Sequence, residues 1–143
     1  MIDSLALIGV SIIGFTGGEP LLREDLPNLV KRAVANGMEC IVFSSGSGFT
    51  SEKALELKAA SLWSFCVSLD SDSPSEHDAI RGRRGAFDDA VTAIRIAREY
   101  GFYTMTGTLA RRKFVEEKKY LDLHRLAGKM GVNEFRIVEP MPC

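Results

Sequence analysis

A chain of 143 residues has the size of one domain. Its 45% hydrophobic and 26% charged residues are typical of a globular protein, and the lack of a membrane-spanning run or secretory signal favours a cytoplasmic one. The net charge of -1, with basic residues scattered along the chain, argues against nucleic-acid binding.

Short apolar runs alternate with segments of helical period, and this alternation is typical of a parallel α/β protein. Residues 1–9 have the character of the last turns of a helix. The predicted strands follow in chain order at 10–15, 40–43, 65–69, 102–108 and 135–138. The predicted helices lie between them, near 25–37, 51–61, 87–101 and 120–131. Such right-handed units form either an open doubly wound sheet or part of a barrel, and periodicity does not separate the two.

Polar and glycine-rich segments follow every predicted strand. In both architectures ligands bind at the carboxyl ends of the strands, so these segments form the candidate site. The segments are TGGEP at 16–20, SSGSG at 44–48, DSDS at 70–73, LARR at 109–112 and EPMPC at 139–143.

The first segment, TGGEP, suits a ligand that carries both charges. Gly17 and Gly18 make a tight turn with exposed amide hydrogens, and Glu19 adds an acceptor-only carboxylate. Amide donors beside a carboxylate fit an amino acid zwitterion better than a phosphate. The alternative, which these residues alone favour, is structural: a glycine turn, then Glu19 in the first turn of a helix with Pro20 at its N1 position.

Three elements, TGGEPLLR at 16–23, VSLDS at 67–71 and HDAIRGRRGAF at 77–87, resemble the radical S-adenosylmethionine (radical SAM) superfamily in order and spacing. The resemblance covers nearly the whole chain and is nearest to the branch that modifies peptides and builds cofactors. It implies a partial (β/α) barrel that binds S-adenosylmethionine across the strand ends. It also implies reductive cleavage of that cofactor to a 5′-deoxyadenosyl radical, which takes hydrogen from a peptide or cofactor precursor.

The resemblance assigns roles to particular residues. The family's GGE element meets the methionine amino group, and polar residues at the next two strand ends approach the ribose and carboxylate. The implied cofactor-binding residues are Gly17, Gly18, Glu19, Ser44, Ser68, Asp70 and Arg81. No catalytic side chain or metal ligand is assigned. Alternation along the third predicted strand puts Cys66, Ser68 and Asp70 on one side, facing a barrel interior, unless the latter two form a turn network for the following loop.

The HDAIRG element contributes charged residues whose partners stay open. The guanidinium of Arg81 can pair with the cofactor carboxylate, with Asp70 or with Asp78. His77 and Asp78 are expected to form a structural ion pair.

The match with the family breaks at the iron–sulfur cluster. The family binds a [4Fe-4S] cluster through three cysteines spaced CxxxCxxC, and this chain has no such motif. Cys40 and Cys66 are expected to be buried strand residues, and Cys143 ends the chain. The three cysteines are also too far apart for a disulfide framework or a zinc site. The family's STNG after the second strand is replaced by SSGS at 44–47, which loses an asparagine amide.

Two hypotheses follow from this break. In the first, residues 1–143 are an incomplete radical SAM core domain whose first barrel strand and cluster loop lie upstream; the chain is then a fragment, inactive by itself, of an enzyme that carries the cluster. In the second, the chain is a degenerate, cluster-free α/β barrel that acts as a SAM-binding or protein-interaction module. In either case the unpaired edges of the sheet predict self-association.

Overall fold

The computed structural model describes residues 1–139, so most of the EPMPC segment, including Cys143, lies outside the described residues. The chain forms an α/β unit around one parallel sheet with the strand order β1-β2-β3-β4-β5. The strands are β1 Ile12–Phe15, β2 Glu39–Ser44, β3 Ser64–Ser68, β4 Tyr103–Leu109 and β5 Glu134–Val138. All five predicted strands are confirmed, and their ends differ from the prediction by no more than two residues.

Seven α-helices occur in the described part of the chain, besides the 3-10 helix Pro20–Leu22. They are α1 Ile2–Leu7, α2 Leu26–Ala35, α3 Ser51–Ala59, α4 Pro74–Arg81, α5 Ala86–Glu99, α6 Arg112–Glu116 and α7 Tyr120–Lys129. The predicted helical segments correspond to α1, α2, α3, α5 and α7, whereas α4 and α6 are not predicted. Helix α4 is eight residues long and mostly polar, so it has few of the apolar residues by which the other helices are recognised; Pro74 at N1 and the left-handed Gly82 define its two ends.

Strand order and burial decide between the two predicted architectures. Each strand pairs with its neighbour in sequence, without the reversal of order that a doubly wound sheet requires. The main core packs Val30 of α2 and Ile94 of α5 with Val42 and Phe65 on one face of the sheet. Within residues 1–139, the packed cluster on the opposite face consists of strand residues alone: Ile41, Phe43, Cys66, Tyr103 and Met105. The fold is therefore a partial barrel with helices on one face, and the face without helices is called the open face below.

Parallel register aligns side chains in rows across the open face. Ser68 of β3 lies beside Gly107 of β4, and Gly107 lies beside Arg136 of β5. This open-face row begins at the carboxyl end of β3, where the sequence predicts ligand binding. None of the helices in the described residues is long and apolar enough to cross a membrane.

Candidate functional site

The turn after β1 begins the candidate site. Gly17 has a φ of 85° and Gly18 a φ of 46°, left-handed values that glycine adopts without strain. A Cβ atom at either position would meet nothing within 4 Å, so backbone conformation rather than lack of space requires glycine. Glu19 then caps the 3-10 turn Pro20–Leu22, and its Oε1 accepts a hydrogen bond from Leu21 N at 3.2 Å. This is the local structure that the structural alternative predicts.

Glu19 also joins the ends of β1 and β2. Its Oε1 accepts a hydrogen bond from Ser44 Oγ at 2.7 Å, and its Oε2 accepts two from Ser45, from N at 2.8 Å and from Oγ at 2.6 Å. These donors and Leu21 N are all neutral, and no described residue forms an ion pair with Glu19. The negative charge of this group, called the Glu19 cluster, is therefore uncompensated.

Gly46 fixes the loop that carries the two serines. Its φ is 88°, and a Cβ there would lie 2.9 Å from Ala93 Cβ and 3.1 Å from Ala90 Cα of α5. Its amide also donates a hydrogen bond to Ser44 Oγ at 2.9 Å. A side chain at 46 would push the loop away from α5. Because Gly46 allows this close packing, the SSGS sequence can hold Ser44 against Glu19 without the asparagine amide of the family pattern.

A second group, called the Asp70 cluster, follows β3. The Asp70 side chain is 3% exposed, and its Oδ2 lies 2.6 Å from Nη2 of Arg81 on α4. Its Oδ1 accepts hydrogen bonds at the end of β4, from Thr108 Oγ1 at 3.1 Å and Leu109 N at 3.4 Å. The sequence leaves three possible partners for Arg81, and in the structure Arg81 pairs with Asp70. The carboxylate thus ties α4 to β4, whereas the turn-network alternative places its contacts in the loop after β3.

Arg111 belongs to the same cluster, although the sequence analysis does not single it out. Its Nη2 donates a hydrogen bond to the backbone oxygen of Asp70 at 3.1 Å. Its Nε is buried and has no hydrogen-bond partner among the described residues. The LARR segment after the fourth predicted strand is the only sequence signal for this role. The cluster contains two guanidinium groups and one carboxylate, and the carboxylate of Glu76 also lies near Arg111.

His77 and Asp78 both accept hydrogen bonds from backbone amides, but only His77 contacts the Asp70 cluster. His77 is 1% exposed, and its Nδ1 accepts a hydrogen bond from Asp70 N at 3.1 Å, which leaves the proton of the neutral ring on Nε2. Burial lowers the pKa of His77. Asp78 accepts hydrogen bonds from Phe87 N at 2.9 Å and Gly85 N at 2.7 Å, which lower its pKa and hold the first turn of α5. The predicted ion pair between His77 and Asp78 is therefore wrong.

Ser68 differs from the other predicted polar residues because its side chain is not committed to the protein. It is half-buried on the open face, in register with Gly107, and its hydroxyl makes no hydrogen bond to another residue in 1–139. A ligand lying on this face would reach it directly.

The two described cysteines do not form a metal site. Cys40 is buried in the helix-covered core and Cys66 on the open face, as the prediction of buried strand residues requires. Burial raises the pKa of each thiol to about 11, which disfavours the thiolate that iron needs. Residues 1–139 contain no group of three His, Cys, Asp or Glu side chains able to hold a metal ion.

The predicted site residues lie at one edge of the sheet, but in separate groups. Glu19 and Gly17 line a cavity of about 480 Å³ along β1, next to α1 and α2. Ser68, Asp70 and Arg81 are not among its lining residues. The Glu19 cluster at the ends of β1 and β2 and the Asp70 cluster at the ends of β3 and β4 therefore do not share this cavity.

Comparisons with known proteins give the relatives of the chain. A family model described as the radical SAM superfamily matches residues 1–123. An AdoMet-dependent heme synthase from Nitratidesulfovibrio vulgaris is 30% identical over 99% of this chain and 38% of the relative. A GTP 3',8-cyclase from Xanthomonas axonopodis pv. citri is 31% identical over 86% of this chain and 37% of the relative. The chain spans about two fifths of the length of these curated relatives.

Solved structures share the same fold. SuiB from Streptococcus suis bound to S-adenosylmethionine matches 99% of this chain and 32% of its own, with a TM-score of 0.83 and 14% identity. SuiB bound to its precursor peptide SuiA matches 90% of this chain and 28% of its own, with a TM-score of 0.75 and the same identity. At this level of identity the likeness establishes the architecture alone.

Proposed function

The chain belongs to the radical SAM superfamily, and from this membership we propose that it supplies the S-adenosylmethionine-binding surface of a radical SAM enzyme. In this proposal residues 1–143 are part of the enzyme's core domain. One observation carries it: a carboxylate without a basic partner lies at one pair of strand ends, and two guanidinium groups lie at the next pair. Glu19 contacts only neutral donors, whereas Arg81 pairs with the carboxylate of Asp70 and Arg111 donates to the backbone oxygen of Asp70.

A bound amino acid matches this separation of charge. Its ammonium group needs an uncompensated acceptor, and the Glu19 carboxylate is one. Its carboxylate needs donors, and the Ser68 hydroxyl and the Arg81 guanidinium are available at the neighbouring strand end. The Ser45 hydroxyl is the contact that the ammonium group would replace, and its oxygen would keep the hydrogen bond that it accepts from Ser47 N at 3.4 Å.

The remaining predicted residues have supporting roles in this proposal. Gly17 and Gly18 keep the turn free of side chains, so that a ligand can approach its backbone. Ser44 holds Glu19, and Asp70 orients Arg81. When bound, S-adenosylmethionine supplies the adenosyl group from which enzymes of this family obtain a radical for hydrogen abstraction.

The [4Fe-4S] cluster does not fit the residues at hand. Cys40 and Cys66 are buried on opposite faces of the sheet, and no set of three ligands exists within 1–139. The proposed enzyme therefore takes its cluster ligands from outside the described residues. The substrate that we infer is a cofactor precursor or a peptide, which is supported by relatives named for heme synthesis and GTP cyclisation and by the SuiB complex with SuiA.

The same lack of cluster ligands in the described residues favours a second candidate, a cluster-free module that binds S-adenosylmethionine or a protein partner. Anaerobic reconstitution of the complete gene product with iron and sulfide separates the two. The enzyme is expected to develop thiolate-to-iron absorbance and to form 5′-deoxyadenosine after reduction. A product that binds S-adenosylmethionine but takes up no iron and sulfide would favour the module.

Exchange of Glu19 for glutamine tests the binding surface itself. In the full-length protein, Glu19→Gln should weaken S-adenosylmethionine binding by about 1–3 kcal/mol, roughly 5- to 150-fold, because a charged hydrogen bond is lost. Glu24→Gln is the matched control, since Glu24 is exposed in the same loop and has no assigned role. Calorimetry measures both, with thermal melting to verify folding, and an unchanged affinity for Glu19→Gln would remove Glu19 from the site.

A further inference from the structure

A polar group on β5 plays no part in the proposed cofactor site. Arg136 Nε donates a hydrogen bond to Oε1 of Glu134, two residues before it on the same face. Oε2 of Glu134 accepts a hydrogen bond from the Tyr103 hydroxyl at 3.3 Å, and the Tyr103 ring stacks on Trp63 with centroids 5.3 Å apart. These contacts fix one edge of the Arg136 guanidinium on the open face.

The other edge of Arg136 is free to bind a ligand. Among residues 1–139, neither terminal nitrogen of Arg136 donates a hydrogen bond, and its side chain is 41% exposed. Two parallel N–H donors on a planar group match the two oxygens of a carboxylate or a phosphate. A guanidinium that is held at Nε and open at its outer edge is therefore oriented for such an anion.

The open-face row beside Arg136 leaves room for that ligand. Gly107 has no left-handed φ, and a Cβ there would make only an ordinary contact, 3.5 Å from Cys66 Sγ. Neither strain nor crowding requires glycine at this position. A glycine in a strand interior weakens the strand and often marks the close approach of a ligand. Beyond it lies Ser68, which belongs to the proposed cofactor site and marks the border of that site.

We propose that Gly107 and Arg136 form a substrate-binding strip, in which the outer edge of Arg136 takes a carboxylate or phosphate group of the substrate. This inference rests on the proposed function, because it needs the cofactor to lie at the ends of β1, β2 and β3, away from β5. Strand β5 lies three strand spacings, roughly 14 Å, from β2. The ammonium and carboxylate of an amino acid share one carbon, so a cofactor held at Glu19 keeps its carboxylate nearer to β3 than to β5.

Residue-resolved arginine labelling tests the strip in the full-length protein. Phenylglyoxal modifies accessible guanidinium groups, and peptide mass spectrometry locates them. Sodium phosphate and sodium succinate serve as anion probes, with sodium chloride at equal ionic strength as the reference. Labelling of Arg136 is expected to fall by roughly tenfold at a probe concentration ten times Kd. Arg95 is the matched control, because it pairs with Glu99 at 2.7 Å on α5 and is 61% exposed.

Labelling in the presence of S-adenosylmethionine distinguishes the two sources of the anion, the substrate and the carboxylate of the cofactor. Protection of Arg136 by phosphate or succinate, but not by S-adenosylmethionine, supports a substrate anion. Equal protection by S-adenosylmethionine overturns the proposal in favour of the cofactor carboxylate, and no protection by either probe overturns it outright. Arg136→Gln should leave S-adenosylmethionine affinity unchanged in calorimetry. Because that affinity is measured separately, failure of the strip is distinguishable from failure of the cofactor site.

Discussion

Replacement of Asp70 by asparagine tests whether this buried carboxylate clamps α4 to β4. Asparagine keeps an oxygen for the Thr108 hydroxyl but removes the charge that faces Arg81 at 2.6 Å. A hydrogen bond to a charged group contributes about 1.5–3 kcal/mol. The Arg81 side chain is 31% exposed, so water offsets part of the loss, and we expect local opening of α4 to become easier by about 2 kcal/mol.

Hydrogen–deuterium exchange with peptide-level mass spectrometry measures this opening. A change of about 2 kcal/mol accelerates exchange of the α4 amides by roughly 30-fold. Asp25→Asn is the matched control, because Asp25 lies 2.7 Å from Arg23 with both side chains more than half exposed. We expect little change in the control, since exposed pairs contribute little. Equal exchange of α4 in the Asp70 variant and the wild type would refute the clamp.

Three further predictions concern groups with shifted pKa values. Burial lowers the pKa of His77 below 6.5, so the unfolded chain takes up the proton first. The melting temperature should therefore fall as the pH drops below 6.5. If His77→Asn leaves the dependence of the melting temperature on pH unchanged, this prediction is contradicted. Burial raises the pKa of Cys40 and Cys66 from 9.0 to about 11, so iodoacetamide should modify neither thiol in the folded protein at neutral pH. The contribution of these thiols to the free energy of unfolding should decline as the pH rises above 9.0, because the unfolded chain loses their protons first. Alkylation of the native protein would show that the strands open. Backbone hydrogen bonds from Phe87 and Gly85 lower the pKa of Asp78. Asp78→Ala should therefore accelerate amide exchange in the first turn of α5 several-fold, while Asp78→Asn should do so less. Equal effects of the two variants would mean that the oxygen acceptor is not what holds the turn.

The strands were predictable because their signal is local. Each is a short run of β-branched or aromatic residues between turn residues, and the sheet preserves all five. Helix α4 escapes prediction because it is held by its ends and by His77 rather than by an apolar stripe. The sequence also does not decide between a barrel and a doubly wound sheet, because both have the same hydrophobic period. The strand order distinguishes the two architectures.

The candidate site was predictable in its position along the chain but not in its pairing. The rule that ligands bind at strand ends identifies Glu19 and Asp70 as part of one edge of the sheet. The contact of Glu19 with Ser45 spans 26 positions and that of Asp70 with Thr108 spans 38, so neither has a local signature. Arg136 was missed because a charged residue inside a predicted strand looks like a solvated face until the register aligns it with Gly107.

The sequential strand order also affects how the polypeptide can assemble on the ribosome. Each strand needs only the strand before it, so every closure spans a single strand–helix unit and costs a similar, modest loop entropy. Synthesis delivers the amino-terminal unit first. The nascent sheet can therefore lengthen one strand at a time, and each newly emerged strand finds its docking edge already in place.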